Sequence, residues 1–342
     1  MKKGFLTIFL GGTYLFLWLI LAIFAYTLIP DNSPNANRQL LELSQLAPMS
    51  KAILLHIPKS ETQNENFVVL AAAKPIHFEA GKTATFQTLR GIPQTFELSI
   101  FGEENSQNEA LFIQKNVINP TFYMGTDSYG RDVWSRLVLG GRISLVIGFF
   151  SMLFSVFIGT IIGLLAGYFG GKTDALLMWL MSVVWAIPSL LLAIVLGIVM
   201  KKGLEQVMIA IALSTWVEVA RMVRGQVMSV KEQLYIEATK ALGLRSFRIL
   251  TKHLLPNIWN PIIVMATANF GSAILIESGL SFLGMGVSSE TPTWGRMIYE
   301  GYTFIIFEHG KWLAIFPGLA LVLLVISVNM IGNGLQDAIS RR

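Results

Sequence analysis

The sequence predicts an all-α polytopic membrane protein with six transmembrane helices and one extracytoplasmic insertion that contains short β-strands. Three observations predict it. Of 342 residues, 53% are hydrophobic and only 14% are charged, against roughly 25% charged in ordinary soluble domains; mean hydropathy is +0.59. Uncharged runs separate Lys3 from Asp31, Arg142 from Lys172, Asp174 from Lys201, Lys252 from Glu277 and Lys311 from Asp337. Each is longer than the roughly 20 residues an α-helix needs to cross the hydrocarbon core. One long polar stretch, from about Asp31 to Pro120, interrupts the pattern.

Residues 1–29 form the first span. Two lysines precede its apolar run, so a cleaved signal peptide and a retained anchor are both readings of it. The run exceeds the roughly 7 to 15 residues of a signal's apolar region, and no small-x-small site precedes Pro30-Asp31, which favours the anchor. Residues 30–120 are the insertion. Alternation in Thr83 to Gln87 and in Thr95 to Phe101, with glycine and proline nearby, predicts strands there. The insertion either supports the outer mouth as a solvated module or receives substrate or a partner.

Residues 121–142 predict an amphipathic helix at the outer interface. Asp127 can cap it, Val133, Trp134, Leu137 and Val138 make its apolar face, and Arg131, Asp132 and Arg136 occupy the other side. Residues 143–342 hold the remaining five spans. In the second span Ser155, Gly159, Gly163 and Gly167 recur at i+4, a stripe that lets two helix backbones approach closely in lipid.

The stretch AGYFGGKT, residues 166–173, resembles the phosphate-cradling loop GxxxxGK[ST], with Ala166 where the first glycine should stand. That loop joins a strand to a helix. Here a membrane span precedes it and another follows Asp174, so the expected structure is a Gly-Gly elbow between helices, with Lys172 as a positive-inside charge. The fourth span, Leu204 to Arg221, is interrupted by Glu205 and Glu218. The loop 222–257 follows. Its first half predicts one helix closed by Gly243 in the left-handed conformation; Ser246 can cap a second helix that must stop near Pro256. Tyr235, Ala238 and Leu242 lie along one face of this hairpin, apolar residues beside charges, as a docking knob requires.

Six spans place both ends on one side. Lys2, Lys3, Lys172, Arg221, Arg224, Lys231, Lys240, Arg245, Arg248, Lys252, Arg341 and Arg342 lie on one set of segments, against Lys201, Lys202, Arg296 and Lys311 in the opposite short loops. The positive-inside rule therefore puts both termini in the cytoplasm. The isoelectric point near 9.3 is partly topological and does not indicate nucleic-acid binding. With no cysteine, a disulfide framework, a thiolate nucleophile and a cysteine metal site are all excluded, and the four scattered histidines form no metal-ligand spacing.

Four ordered motifs carry a resemblance to a family. GTDSYGRDVWSRLVLGGRISL precedes the second span, and WVEVARMVRGQVMSVKE precedes the loop. Glu237, Ala238, Thr239 and Gly243, with Leu255-Pro256-Asn257 further on, occupy the loop. AILIESGLSFLGMGVSSETPTWGRM runs through and beyond the fifth span. Over roughly residues 124 to 299 the chain resembles the C-type permease subunits of bacterial dipeptide and oligopeptide ABC importers. Two departures are mild: Thr239 replaces an alanine, and His253 stands where isoleucine is common. The insertion is longer than usual for that family, so no role is carried over to it.

The resemblance implies a type I ABC importer permease fold on the bacterial inner membrane. Its implied partners are membrane lipid, a B-type permease, two cytoplasmic ABC ATPase subunits that bind ATP and magnesium, and an extracytoplasmic solute-binding protein. No cofactor and no catalytic residue are expected in this chain. The implied ATPase-docking residues are Tyr235, Glu237, Ala238, Thr239, Leu242, Gly243, Leu255 and Pro256. Asn269, Ser272, Glu277 and Ser281 are the polar candidates for the translocation path or for interfaces. Glu277 either attracts a peptide ammonium or bonds backbone or an interface arginine; a carboxylate in a span is a functional candidate by default. The alternatives are an ion-coupled secondary transporter, an ABC permease for a non-peptide ligand such as a metal chelate, and an intramembrane hydrolase.

Overall fold

The computed structural model describes residues 2–57, 66–101, 108–200, 203–288, 290–307 and 310–339. Lys201, Lys202, Arg341 and Arg342 lie outside them. In chain order the elements are α1 (Lys2–Ile23), β1 (Ser50–Lys51), β2 (Ile53–Ile57), β3 (Asn66–Leu70), β4 (His77–Glu79), β5 (Thr83–Gln87) and β6 (Pro93–Glu97). Then come α2 (Glu109–Asn116), β7 (Val117–Ile118), β8 (Thr121–Phe122), α3 (Val133–Phe169), α4 (Gly171–Trp185), α5 (Ser189–Val199), α6 (Leu204–Lys231) and α7 (Leu234–Ala241). The last are α8 (Ser246–Phe282), α9 (Trp294–Gly301) and α10 (Trp312–Ile339).

The helices α1, α3, α6, α8 and α10 are each long and apolar enough to cross a membrane, and α4 with α5 makes a sixth span if the bent pair is counted as one. The pair bends by 86°, so the single third span expected between Asp174 and Lys201 is broken. Pro188 explains the break: its nitrogen has no proton to donate, and its own backbone is extended at φ −53° and ψ 130°.

Two compact units are present. One comprises Met1–Ala25, Leu139–Tyr299 and Ile315–Arg342, the other Tyr26–Val138 and Glu300–Ala314. In the first, the small-residue stripe of α3 lies on α6. A Cβ placed on Gly159, Gly163 or Gly167 would come within 2.6, 2.7 and 2.8 Å of Val219, Val223 and Val227 respectively. These backbones approach as closely as glycine permits, which is the packing the i+4 spacing predicts. A second layer of Ile147, Ala193, Ile211, Ala273 and Leu280 joins α3, α5, α6 and α8.

The second unit has two three-stranded antiparallel sheets, β3-β2-β7 and β4-β5-β6, and the pair β1-β8; Leu55 of β2 and Phe86 of β5 pack with Leu98, Phe101 and Phe112 in one core. The alternation in β5 buries Ala84 and Phe86 on one face. The strand expected over Thr95 to Phe101 ends at Glu97, and Leu98–Phe101 turns into a 3₁₀ helix. Leu98 and Phe101 are both buried. Three residues apart, they would point to opposite faces of a strand but share one face of a 3₁₀ turn.

The outer segment also differs from expectation. Val133 opens α3 directly, and no separate amphipathic helix forms. Asp132 takes the capping role, its Oδ2 accepting the Ser135 backbone N–H at 2.9 Å. Asp127 instead closes its own turn, its Oδ1 accepting the N–H groups of Tyr129 and Arg131 at 2.9 and 3.0 Å. Asp127, Arg131, Asp132 and Arg136 are all buried, so they form no solvated face. Arg131 donates from Nε to Asp127 at 2.6 Å and from Nη2 to Glu300 at 2.7 Å, and Arg136 donates to the same Glu300 oxygen at 3.1 Å. Four mutually paired charges can be buried where a single one could not.

Candidate functional site

The hairpin is built from its buried side outward. Helix α6 ends at Lys231, whose Nζ donates to the Tyr168 carbonyl at 2.6 Å. The single helix expected to run on to Gly243 breaks here. Gln233 adopts an extended conformation, φ −78° and ψ 140°, and α7 begins afresh at Leu234. The break turns Ile236 into a cluster with Val223, Val227, Ile249, Leu254 and Ile258. Burying that one side chain contributes about 1.5–3 kcal/mol.

Gly243 closes α7 with φ +71°. Its N–H donates to the Lys240 carbonyl at 2.9 Å and that of Leu244 donates to Thr239 at 3.2 Å, the paired bonds of a Schellman cap. The Thr239 hydroxyl donates to the Ile236 carbonyl at 2.7 Å, so its exchange for alanine leaves the helix intact. Ser246 is the first residue of α8, so the capping position falls to Arg245, which makes no side-chain cap bond. The second helix does not stop at Pro256 either. A π-turn over Leu250–Leu254, with the Leu255 N–H reaching back to Leu250, widens the helix immediately before the proline ring, and α8 continues to Phe282. The widened turn moves aside the carbonyl that the ring would strike.

Facing outward are Leu234 (83% exposed), Tyr235, Leu242 (80%) and Phe247 (76%), with Glu237 and Ala238 exposed beside them. Pro256 is exposed and Leu255 half-buried. Leu234 and Phe247 are not among the docking residues that the resemblance implies, although Leu234, Ala238 and Leu242 repeat at i+4 and share one face. Leu234 was legible. Phe247 was not, because its exposure depends on Ile249 filling the inner side.

The polar candidates in α8 divide. Asn269, Glu277 and Ser281 are buried, whereas Ser272 is exposed and takes no part in their contacts. Glu277 accepts from the Ser281 hydroxyl at 2.8 Å and from the Ser144 hydroxyl at 3.2 Å, and Ser144 Oγ in turn accepts the Trp294 N–H at 3.4 Å. Within this chain the carboxylate thus bonds to hydroxyls, and these bonds tie together α3, α8 and the start of α9. Asn269 Nδ2 donates to Ser155 at 3.2 Å, and Thr215 lies 3.0 Å from the same hydroxyl. Side chains that join helices in this way stiffen the bundle.

The elbow after α3 uses two left-handed glycines, Gly170 at φ +66° and Gly171 at φ +52°, and leads straight into α4. Asp174, in the first turn of α4, accepts both guanidinium N–H groups of Arg224 at 2.5 and 2.6 Å. No strand precedes these glycines and a helix enters them, so the resemblance to a phosphate loop is confined to the residue letters.

The sequence profile described as binding-protein-dependent transport system inner membrane component matches residues 159–342, a range that holds the elbow, the hairpin and α8 to α10. The chain belongs to this family. Among curated relatives, the dipeptide transport system permease protein DppC of Alkalihalophilus pseudofirmus is 42% identical over 217 residues, 64% of this chain and 71% of the relative. The glutathione transport system permease protein GsiD of Pectobacterium atrosepticum is 40% identical over 218 residues, 64% of this chain and 71% of the relative. The oligopeptide transport system permease protein OppC of Bacillus subtilis is 38% identical over 217 residues, 64% and 70%. A solved inward-facing structure of the MetNI methionine ABC transporter covers 60% of this chain and 95% of its own, with TM-score 0.50 and 21% identity, and shares the type I importer permease fold. As a family member, this chain is a multi-pass inner-membrane permease subunit of an ABC importer, and by family not an enzyme. Membership sets aside the ion-coupled and hydrolase readings.

Proposed function

We propose that this permease carries di- and oligopeptides inward across the cytoplasmic membrane by alternating access, driven by ATP hydrolysis in partner ATPases that grip α7. The observation that carries the reading is the hairpin: a rigid base of Ile236, Ile249 and Leu254 presents the exposed Leu234, Leu242 and Phe247. A knob fixed to α6 and α8 can transmit a push from one partner to two membrane spans. Glu237 then meets a polar or basic group of the ATPase. ATP and magnesium bind in that partner, so chemical energy reaches the pathway without catalysis in this chain.

A B-type permease, two ATPase subunits and an extracytoplasmic solute-binding protein complete the proposed machine, with both termini of this chain in the cytoplasm. The named peptide and glutathione relatives support the substrate class. The decisive experiment is uptake of labelled dipeptide, tetrapeptide and a nickel chelate into proteoliposomes holding the assembled complex and internal ATP. ATP-dependent accumulation of peptide is expected. Accumulation of the chelate with none of either peptide would overturn the substrate class.

A further inference from the structure

The membrane-crossing unit holds a cavity of about 820 Å³ bordered by α1, α3, α8 and α10, within the roughly 300–1,000 Å³ range of small-molecule sites. Its walls are aliphatic and aromatic, with Leu15 and Leu19 from α1, Phe149 and Phe150 from α3 and Phe270 from α8. The cationic side chain among its lining residues is Arg142. Arg142 is also the last charge before the uncharged run that extends to Lys172, which sets it at a membrane–water boundary. Phe150 follows eight residues later, about 12 Å further along the helix axis and so deeper in the hydrocarbon. Arg142, Phe149 and Phe150 are all exposed in this chain.

A cavity with a guanidinium at the interface and an apolar body running inward has the polarity of one kind of molecule. We propose that it is a binding site for an anionic glycerophospholipid, with the phosphate on Arg142 and an acyl chain along Leu19, Phe149 and Phe270. The planar guanidinium fork matches two phosphate oxygens, which a lysine ammonium cannot do. Buried methylenes supply the remaining attraction, and the lipid headgroup layer supplies phosphate at the level where Arg142 stands.

The test uses the assembled transporter in nanodiscs. This chain has no cysteine, so Leu19→Cys carries its only thiol, and a bimane attached there reports quenching by lipid brominated in its acyl chains. Phosphatidylglycerol is expected to quench at low mole fraction and in a saturable way, phosphatidylcholine only in proportion to its amount. Adding Arg142→Gln is expected to weaken the phosphatidylglycerol response about fivefold, with Arg142→Lys in between. Equal quenching by both lipids in the background that keeps Arg142 would overturn the proposal. So would absence of quenching together with cross-linking of the Leu19→Cys thiol to the second permease, which would assign the cavity to that subunit.

Discussion

Arg224 and Asp174 form a two-pronged ion pair, with Nε and Nη2 of the guanidinium donating to the two carboxylate oxygens at 2.5 and 2.6 Å. The pair locks the first turn of α4 to α6 only seven residues before α6 ends at the hairpin. Because the pair is partly sheltered and bidentate, Arg224→Ala should destabilise the purified permease by on the order of 1–2 kcal/mol. A lowered thermal midpoint in detergent, with Asp174→Ala giving a similar shift and the double variant little more, is the expected result. Additive losses would mean that the two residues act separately.

The α3–α6 contact predicts a contrast between two glycines. A Cβ on Gly163 would lie 2.7 Å from Val223 Cβ, whereas one on Gly225, also in α6, meets nothing within 4 Å. Gly163→Ala should cost about 1–3 kcal/mol by overpacking. Gly225→Ala should be neutral or stabilising by up to roughly 1 kcal/mol, since alanine favours the helix. Thermal midpoints of the two variants in one detergent decide the matter; equal effects would contradict the close approach.

The hairpin predicts a split between inner and outer residues. Leu234→Asp, Phe247→Asp and Glu237→Arg change exposed positions, so the permease should insert and keep its thermal midpoint while co-purified ATPase subunit falls at least severalfold. Ile236→Asp should lower the midpoint itself, because an unpaired charge enters an apolar cluster. Gly243→Pro should also disrupt α7, since proline cannot adopt φ +71°. Normal ATPase recovery with all three outer variants would remove the hairpin from the coupling pathway.

Asp132 predicts a pH dependence of unusual sign for a carboxylate. Burial pushes its carboxyl above the usual aspartate range, against the opposing pull of the Ser135 hydrogen bonds and with a further push from the nearby Asp31. A folded-state pKa above the unfolded value means the native protein holds the proton more tightly. Its stabilising contribution is complete below the unfolded pKa, about 3.9, and is lost as pH rises through the raised folded value. Asp132→Asn can still accept the Ser135 N–H, so its midpoint should decline less than that of the parent from about pH 4 to pH 7. Parallel pH profiles would show that Asp132 contributes no such term.

Much of the site was legible because it depends on local pattern. Gly243 as a left-handed cap follows from where the helical spacing stops, and the glycine stripe of α3 follows from its i+4 repeat. The two elbow glycines follow from the lack of any strand before AGYFGGKT. Other features were hidden because they require partners far along the chain. Arg131 and Arg136 look like a solvated charged face until Asp127 and Glu300 close around them. Pro256 looks like a helix stop until the π-turn before it makes room. The hydroxyls of Ser144 and Ser281 on Glu277 come from two helices, and no local spacing brings Ser144 to it.

The sequence by itself determined the spans, the family and the place of the loop between α6 and α8, because uncharged length, residue spacing and turn chemistry act over one or two helical turns. Only the tertiary structure decided which charges are buried, where the third span breaks and which side chains of α7 face outward. Those outcomes depend on desolvation and close packing between segments as distant as Arg131 and Glu300. A buried charge is tolerated only when its partner arrives.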